Sequence, residues 1–361
     1  MRPFAPLLVV GLAACLEPAS DRAERDLDLG AVKVADYDFA SDEGLLHVRE
    51  ATAQRLRLRA SCAEVSFSLT RRSSGIDELF VEVSNVLPSF ELASTPGVLS
   101  FDGSPVRGTP TGAPLTSRWR LQFPPGVERV ELATPPRSGD FTFLAFGDIQ
   151  NGIRTFADVV AKLNEHPDAE HIIFLGDLTE SSLPEEFDAV EASFAQVVMP
   201  VFATPGNHDV MENTLYQRRF GRTSYSCVNR GVRFTAVDSS SATLAPALWP
   251  RYHTWLEQGR DQRHVLFSHI PSTEVLGVRA GQWSSRAEAR RFIGDAVEAG
   301  ADLVLFGHIH SFDAYALGGI PTYIAGGGGA IPERFDGIDR HFLKVRVAAD
   351  NLEVEVVRVD P

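Results

Sequence analysis

The chain has 361 residues, with 48 Asp and Glu against 34 Lys and Arg, for a formal charge of −14. That balance argues against a mainly electrostatic grip on nucleic acid, which needs a basic face, but leaves room for a small anionic substrate held through bound cations. Hydrophobic residues at 44% and charged residues at 23% are ordinary globular proportions, so wholesale disorder is excluded and two domains with their own cores fit the length.

The first fifteen residues read as a processing segment. Arg2 supplies a short basic start, and Pro3 to Ala14 form an apolar stretch that is too short for a membrane span and suits a signal h-region. It ends in Leu12-Ala13-Ala14-Cys15, which resembles a bacterial lipobox. The resemblance implies that Cys15 becomes lipidated, starts the mature chain and anchors it to the membrane, facing periplasm or exterior. An ordinary cleaved signal with an incidental Cys is the alternative. Each buried methylene of such a lipid contributes about 0.8 kcal/mol, so several chains hold firmly. Losing residues 1–14 removes only Arg2, giving 33 − 48 = −15.

Three cysteines are few for a disulfide scaffold. With Cys15 lipidated, Cys62 and Cys227 remain, each in a strand-like apolar pattern. They read as two separate buried thiols, with pairing in an oxidising compartment as the alternative. From Leu16 to about Gly30 the sequence is polar and acidic (EPASDRAERDLD), which reads as a flexible tether.

Residues 31–136 show a period of two. Val65, Phe67 and Leu69 alternate with Glu64, Ser66 and Ser68, and Trp119, Leu121 and Phe123 alternate with Arg118, Arg120 and Gln122. Further strand-like runs lie at Phe80 to Val83 and Val127 to Leu132, separated by turn-rich stretches such as Thr95-Pro96-Gly97 and Gly108 to Pro114. Short strands without a convincing helix predict a small β-sandwich domain, and no chemistry is visible in it.

Pro135, Pro136, Ser138 and Gly139 form a linker, after which the pattern changes. From Phe141, buried strands (FTFLAF, HIIFL, VVMPVFA, VRFTAV, HVLF, ADLVLF) alternate with helical segments such as the amphipathic run Thr155 to Leu163. The spacing of the first two strands fits a βαβ unit. Each of five strands runs into a potential metal ligand: Gly147-Asp148-Ile149-Gln150, Gly176-Asp177-Leu178-Thr179-Glu180, Gly206-Asn207-His208-Asp209, Ser268-His269-Ile270-Pro271 and Gly307-His308-Ile309-His310. Carboxyl ends of strands in α/β sheets converge on one crevice, so residues distant in sequence can meet there. A lone Gly-Asp after a strand is an ordinary turn, and a lone His is an ordinary loop residue; the ordered set of five is what carries the argument.

That order (GD-x-Q, GD-x-x-E, GNHD, SHIP, GHIH) resembles the calcineurin-like metallophosphoesterase superfamily over about residues 141–345. Arg219-Phe220-Gly221, Ser224-Tyr225-Ser226, Val237-Asp238-Ser239 and the glycine-rich run from Gly319 to Gly329 match it too. The resemblance implies an α+β fold: two packed mixed β-sheets flanked by helices over residues 141–361, here preceded by the β-sandwich. It implies that Asp148 and His310 hold a first metal, that Asp177 bridges, and that Asn207, His269 and His308 complete a second. Such mixed ligands suit Mn²⁺, Zn²⁺ or Fe. Two such ions about 3.5–4 Å apart can lower the pKa of a shared water and neutralise charge on phosphoryl oxygens, so the implied activity is hydrolysis of phosphate mono- or diesters. His208 is implied to meet the substrate phosphate and protonate the leaving group, with the Glu180 carboxylate as its orienting partner or, alternatively, a plain helix-start residue.

One position departs from the pattern. The family commonly has Asp-x-His in the first motif, and Gln150 stands where that His would be. It can bind through its amide oxygen, hold a metal-bound water, or stand aside. This weakens the first site and supplies the argument for the alternative reading, a non-catalytic envelope-binding protein that retains the fold. Asp209 and Asp238 read as loop-bonding carboxylates, Asp313 as a substrate or outer residue. Trp249 and Trp283 read as packing residues, with stacking on a base or sugar as the alternative.

Overall fold

The computed structural model describes residues 16–359 apart from 73–77, 95–105, 108, 111–114, 124–125, 212, 276, 278–279, 334–336 and 350. The processing segment with its lipobox-like Cys15, the turn-rich stretch at 95–97 and most of that at 108–114 therefore lie outside the described residues. Among the described residues, eleven strands make up the N-terminal β-domain: β1 (Ala31–Lys33), β2 (Tyr37–Ser41), β3 (Leu46–Ala51), β4 (Arg55–Ala60), β5 (Ser66–Arg71), β6 (Glu78–Ser84), β7 (Glu91–Ser94), β8 (Val106–Arg107), β9 (Thr109–Pro110), β10 (Thr116–Gln122) and β11 (Arg129–Ala133). They form two sheets, ordered β1-β2-β5-β11-β7-β8 and β3-β4-β6-β10-β9. The alternation seen in sequence is the burial pattern. Phe67 and Leu69 of one sheet, and Leu79, Val81, Val83 and Leu121 of the other, enter one core, while Phe80 faces outward.

The described residues of the remainder form eleven more strands: β12 (Phe141–Phe146), β13 (Ala169–Phe174), β14 (Val201–Ala203), β15 (Tyr225–Asn229), β16 (Val232–Val237), β17 (His264–Ser268), β18 (Leu303–Phe306), β19 (Phe312–Leu317), β20 (Ile320–Ala325), β21 (His341–Val347) and β22 (Leu352–Arg358). They make two mixed sheets, β14-β13-β12-β21-β22 and β15-β16-β17-β18-β20-β19. The central parallel strands are buried along their whole length, as expected where both faces are covered. The run VVMPVFA was read as one strand, but only Val201–Ala203 pairs; Pro200, lacking an N–H, precedes it.

Helices cover the outer faces. α1 (Ala19–Asp28) comes before the β-domain; α2 (Phe156–Asn164), α3 (Pro184–Phe194) and α4 (Leu215–Phe220) pack on the first mixed sheet, and α5 (Trp249–Gly259) and α6 (Arg286–Ala299) on the second. Between the two sheets lies a core continuous with that of the β-domain, built on Phe143, Ile173, Phe202, Phe234 and Phe267. Among the described residues no helix is long and apolar enough to cross a membrane.

Two expectations are corrected. The stretch after Leu16 is not a flexible tether but a docked helix, because its fully buried side chains are charged, with only the small Ala19 and Ala23 packing on the apolar core beside them. Arg22 and Asp26, one turn apart in α1, are both buried. Arg22 Nε donates to Asp238 Oδ2 at 2.8 Å, and Asp26 accepts from Thr223 N, Thr223 Oγ1, Ser224 N and Gln217 Nε2. An apolar-periodicity reading cannot see such a face. Ahead of the helix, Glu17 N donates to Val210 O and Leu16 bridges Met211. The second correction concerns the thiols. Cys62, in the turn after β4, and Cys227, in β15, are disulfide-bonded with Cα atoms 6.3 Å apart. The link joins the two domains across a sequence separation of 165 residues, which hides it from any local pattern.

Candidate metal centre

The ligand-bearing loops all leave the carboxyl ends of neighbouring strands. Asp148 follows β12, Asp177 follows β13, Asn207 follows β14, His269 follows β17 and His308 follows β18. In the two sheets these strands are adjacent and parallel where it matters, so their ends meet. Several of the loops turn through left-handed backbone: Asp148 has φ 70°, Gln150 46°, Asp177 58° and His308 69°. Non-glycine residues in that region cost about 1–2 kcal/mol each, and such strain gathers at functional loops. The sequence carried no direct signal for it.

Close backbone approach explains the glycines. A Cβ on Gly206 would stand 2.7 Å from Asp177 Cγ and closer still to Asp177 Oδ1 and N. Gly176, at φ +91°, would place a Cβ 2.7 Å from both Gly206 N and His269 Nδ1.

Four of the predicted second-metal ligands converge. Asp177, His269 and His308 each offer a ligand atom within 4.8 Å of the others. His269 Nε2 lies 3.2 Å from Asp177 Oδ2, from Asn207 Oδ1 and from His308 Nδ1. Its other nitrogen, Nδ1, donates to Leu175 O at 2.7 Å, which directs the Nε2 lone pair of the neutral ring into the cluster. Burial opposes charge on His269, but Asp177 more than offsets it and carries the imidazole up to about 9. Burial likewise opposes ionisation of Asp177, and the surrounding imidazoles overcome it to hold the carboxyl well below its usual range. The centre therefore calls for positive charge, which a proton on His269 or a divalent cation supplies. The donor set of carboxylate, amide oxygen and two imidazoles fits the latter.

The first-metal residues are looser. Asp148 is fully buried and accepts from His308 N at 3.1 and 3.0 Å through its two oxygens. His310 brings Nε2 to 3.6 Å from Asp148 Oδ1 while Nδ1 donates to Ile331 O at 3.0 Å, so the ring is oriented as a ligand would be. Gln150 Nε2 donates to Asp177 Oδ2 at 2.8 Å, which ties the amide to the bridging carboxylate.

His208 sits beside the cluster, half-buried. Its backbone N donates to Asp177 Oδ1 at 2.9 Å, and its Nδ1 donates to the backbone carbonyl of Glu180 at 2.7 Å. The expected orienting role of the Glu180 carboxylate is thus taken by its main chain, because the tight loop after β13 turns that carbonyl toward the ring. Burial works against protonation of His208, but Asp177, the Glu180 carbonyl and the Glu180 charge raise its pKa.

Asp209 is buried and accepts from Leu178 N, Thr179 N, Thr179 Oγ1 and Gly206 N, clamping the second and third motif loops together. Burial and the neighbouring Asp177 push its carboxyl up to about 6. Asp238 pairs with Arg22. Trp249 is buried under the Arg291 guanidinium, and Trp283 is buried with Nε1 donating to Ile270 O, so both rings pack in the fold. Asp313 lies in β19, and burial lifts its carboxyl.

The family profile described as calcineurin-like phosphoesterase matches residues 141–312, the span that holds every one of these loops. This domain is a calcineurin-like metallophosphoesterase. A search of curated protein sequences finds no match. Among solved structures, the chain is similar to the purple acid phosphatase PPD1 from yellow lupin seeds (TM-score 0.54, 14% identity, 82% of this chain and 70% of that one). It is also similar to a dimetal phosphatase from Danio rerio (TM-score 0.50, 12% identity, 61% and 96%). At these identities the likeness is one of fold. The lupin match extends beyond the metallophosphoesterase domain into the β-domain. Metallophosphoesterases generally use a dinuclear metal centre, and the convergent group described above belongs to such a domain.

Proposed function

We propose that this metallophosphoesterase hydrolyses phosphate mono- or diesters outside the cytoplasm, with two divalent ions of the Mn, Fe or Zn class and an anchor at Cys15. The observation that carries the reading is the convergence of Asp177, Asn207 and His308 on the Nε2 lone pair of His269. Asp177, Asn207, His269 and His308 would hold one ion; Asp148, Asp177 and His310 would hold the other, with Gln150 steadying the shared carboxylate. When bound, the two ions supply the charge that activates water and neutralises phosphoryl oxygens.

The chain supplies the rest. Asp209 and the glycines fix the loops that position Asp177, so little reorganisation is needed as charge develops. His208, with Nδ1 held by the Glu180 carbonyl, has Nε2 free of that contact and its pKa raised, which suits donation of a proton to the departing alkoxide.

The test is to strip the purified protein of metal, add back Mn²⁺, Zn²⁺ or Fe²⁺, and assay chromogenic mono- and diesters with bound metal quantified. Hydrolysis should require metal, and Asp177→Asn should abolish it. Absence of turnover across that panel would overturn the enzyme reading. It would leave the non-catalytic envelope-binding reading, for which Gln150 in place of the family's His is the argument.

A further inference from the structure

A groove of about 760 Å³ runs along α6, bounded by the loop after β17 and by the turn that joins β19 to β20. That is the size of a small-molecule site. One end of it lies at the metal centre. α6 connects β17 to β18, which are parallel neighbours, so its amino end stands on the side of the sheet where His269 and His308 follow their strands. Glu274, in the groove wall, accepts from Gly281 N at 2.7 Å, and a Cβ on Gly281 would stand 3.1 Å from the His308 ring. The carboxyl end of α6 marks the far end, where a Cβ on Gly318 would come within 2.6 Å of Val297 Cγ2 and the groove closes.

The two ends differ in chemistry. Arg286, Arg290, Ile293 and Val297 recur at helical spacing and share the face of α6 that lines the groove, over roughly 16 Å of helix. Toward the metal centre that face carries two guanidiniums; toward the far end it carries Ile293 and Val297, with Leu317 in the same wall. The adjacent Arg291 approaches Asp295 and covers the Trp249 ring, whereas Arg286 and Arg290 have no ion pair among the described residues. Ser272 lines the same groove. It is only 2% exposed, and its Oγ meets no hydrogen-bond partner among the described residues. Buried hydroxyls are normally bonded, so this one points to a polar group that enters from the groove. Of the two carboxylates in the wall, Glu274 is engaged by Gly281 N and Glu298 stands at the far end, beyond Val297.

We propose that this groove is the subsite for the organic part of the phosphoester. It selects a second anionic group, held by Arg286, Arg290 and the Ser272 hydroxyl, followed by a hydrocarbon portion lying on Ile293, Val297 and Leu317. Guanidiniums suit such a group because they bind carboxylate and phosphate oxygens through paired N–H donors. The inference rests on the phosphoesterase reading above and makes its substrate an amphipathic anion.

The experiment has a binding arm and a turnover arm, both on the full chain. In calorimetry, N-octanoylserine and octanoylaminomethylphosphonate should each bind about tenfold more tightly than the neutral N-octanoylserinamide, as expected of a charge-assisted contact at a partly exposed site. The stronger of the two anions tells carboxylate from phosphate. In phosphate-release assays, N-octanoyl-O-phosphoserine should exceed its carboxamide by a similar factor in kcat/KM, through KM. An Arg286→Gln, Arg290→Gln double variant should erase both preferences, while Arg291→Gln should keep them. Equal binding of anions and amide by the parental protein, or a preference that survives the double variant, would overturn the proposal whatever the esters do. Hydrolysis of both esters without preference for the anion would overturn it as well, since the groove would then not hold the substrate. No hydrolysis of either ester with the binding preference intact would strike the phosphoesterase reading alone.

Discussion

Gly206→Ala is the sharpest probe of how the site is held. The added methyl would lie 2.7 Å from Asp177 Cγ, with the Asp177 backbone nitrogen and Oδ1 nearer still. Normal separation requires Asp177 or the GNHD loop to retreat by roughly 1 Å. Neither can do so freely, since Asp209 bonds both loops and His208 N bonds Asp177 Oδ1. Overpacking of this kind costs about 1–3 kcal/mol of stability. A displacement of about 1 Å in a positioning group costs about 100-fold in rate, or about 2.7 kcal/mol of transition-state stabilisation. Metal-reconstituted hydrolysis of a chromogenic ester, bound metal per chain and thermal melting should therefore all fall together. Gly231→Ala is the control: its φ is +77° but no atom lies within 4 Å, so it should lose about 1 kcal/mol of stability and no activity. A Gly206→Ala enzyme within threefold of the parental rate and with full metal content would refute the account of loop packing.

Removing the disulfide as Cys62→Ala with Cys227→Ala should lower unfolding free energy by about 2–5 kcal/mol in urea titrations, given the long loop it closes. Arg22→Ala should cost about 3–5 kcal/mol, because it leaves the buried Asp238 carboxylate unpaired, and should open residues 16–30 to limited proteolysis. Burial holds His47 down to about 4 and His171 and His264 down to about 3. The unfolded chain, with imidazoles near 6.5, therefore binds more protons below that pH. Stability from these groups is full above about 6.5 and is lost as pH falls toward 3–4, by about 2 kcal/mol per imidazole at pH 5. Replacing the stacked, buried His171 by Phe should flatten the pH slope of urea midpoints between 7 and 5; an unchanged slope would refute its share.

Much of the fold was legible because its signals are local. Phe141–Phe146 is buried along its whole length, and Val232–Val237 at every position but Arg233, because parallel central strands are covered on both faces; the run VVMPVFA pairs only in its last three residues. The motif order likewise pointed to one crevice, since strand ends in such sheets converge. Other features depended on pairs far apart in the chain. The partner of Cys62 is 165 residues away, the partner of Arg22 is 216 away, and the ring of His208 is held by a backbone carbonyl that has no side-chain identity to read. Sequence alone determined which residue types could bind metal and which strands would carry them, because hydrophobic period and motif spacing are written within single segments. Only the tertiary structure decided that Gln150 bonds Asp177, that the polar stretch after Leu16 is a docked helix, and that Leu16 bridges Met211. Those outcomes depend on which charges find partners when distant segments are brought out of water together.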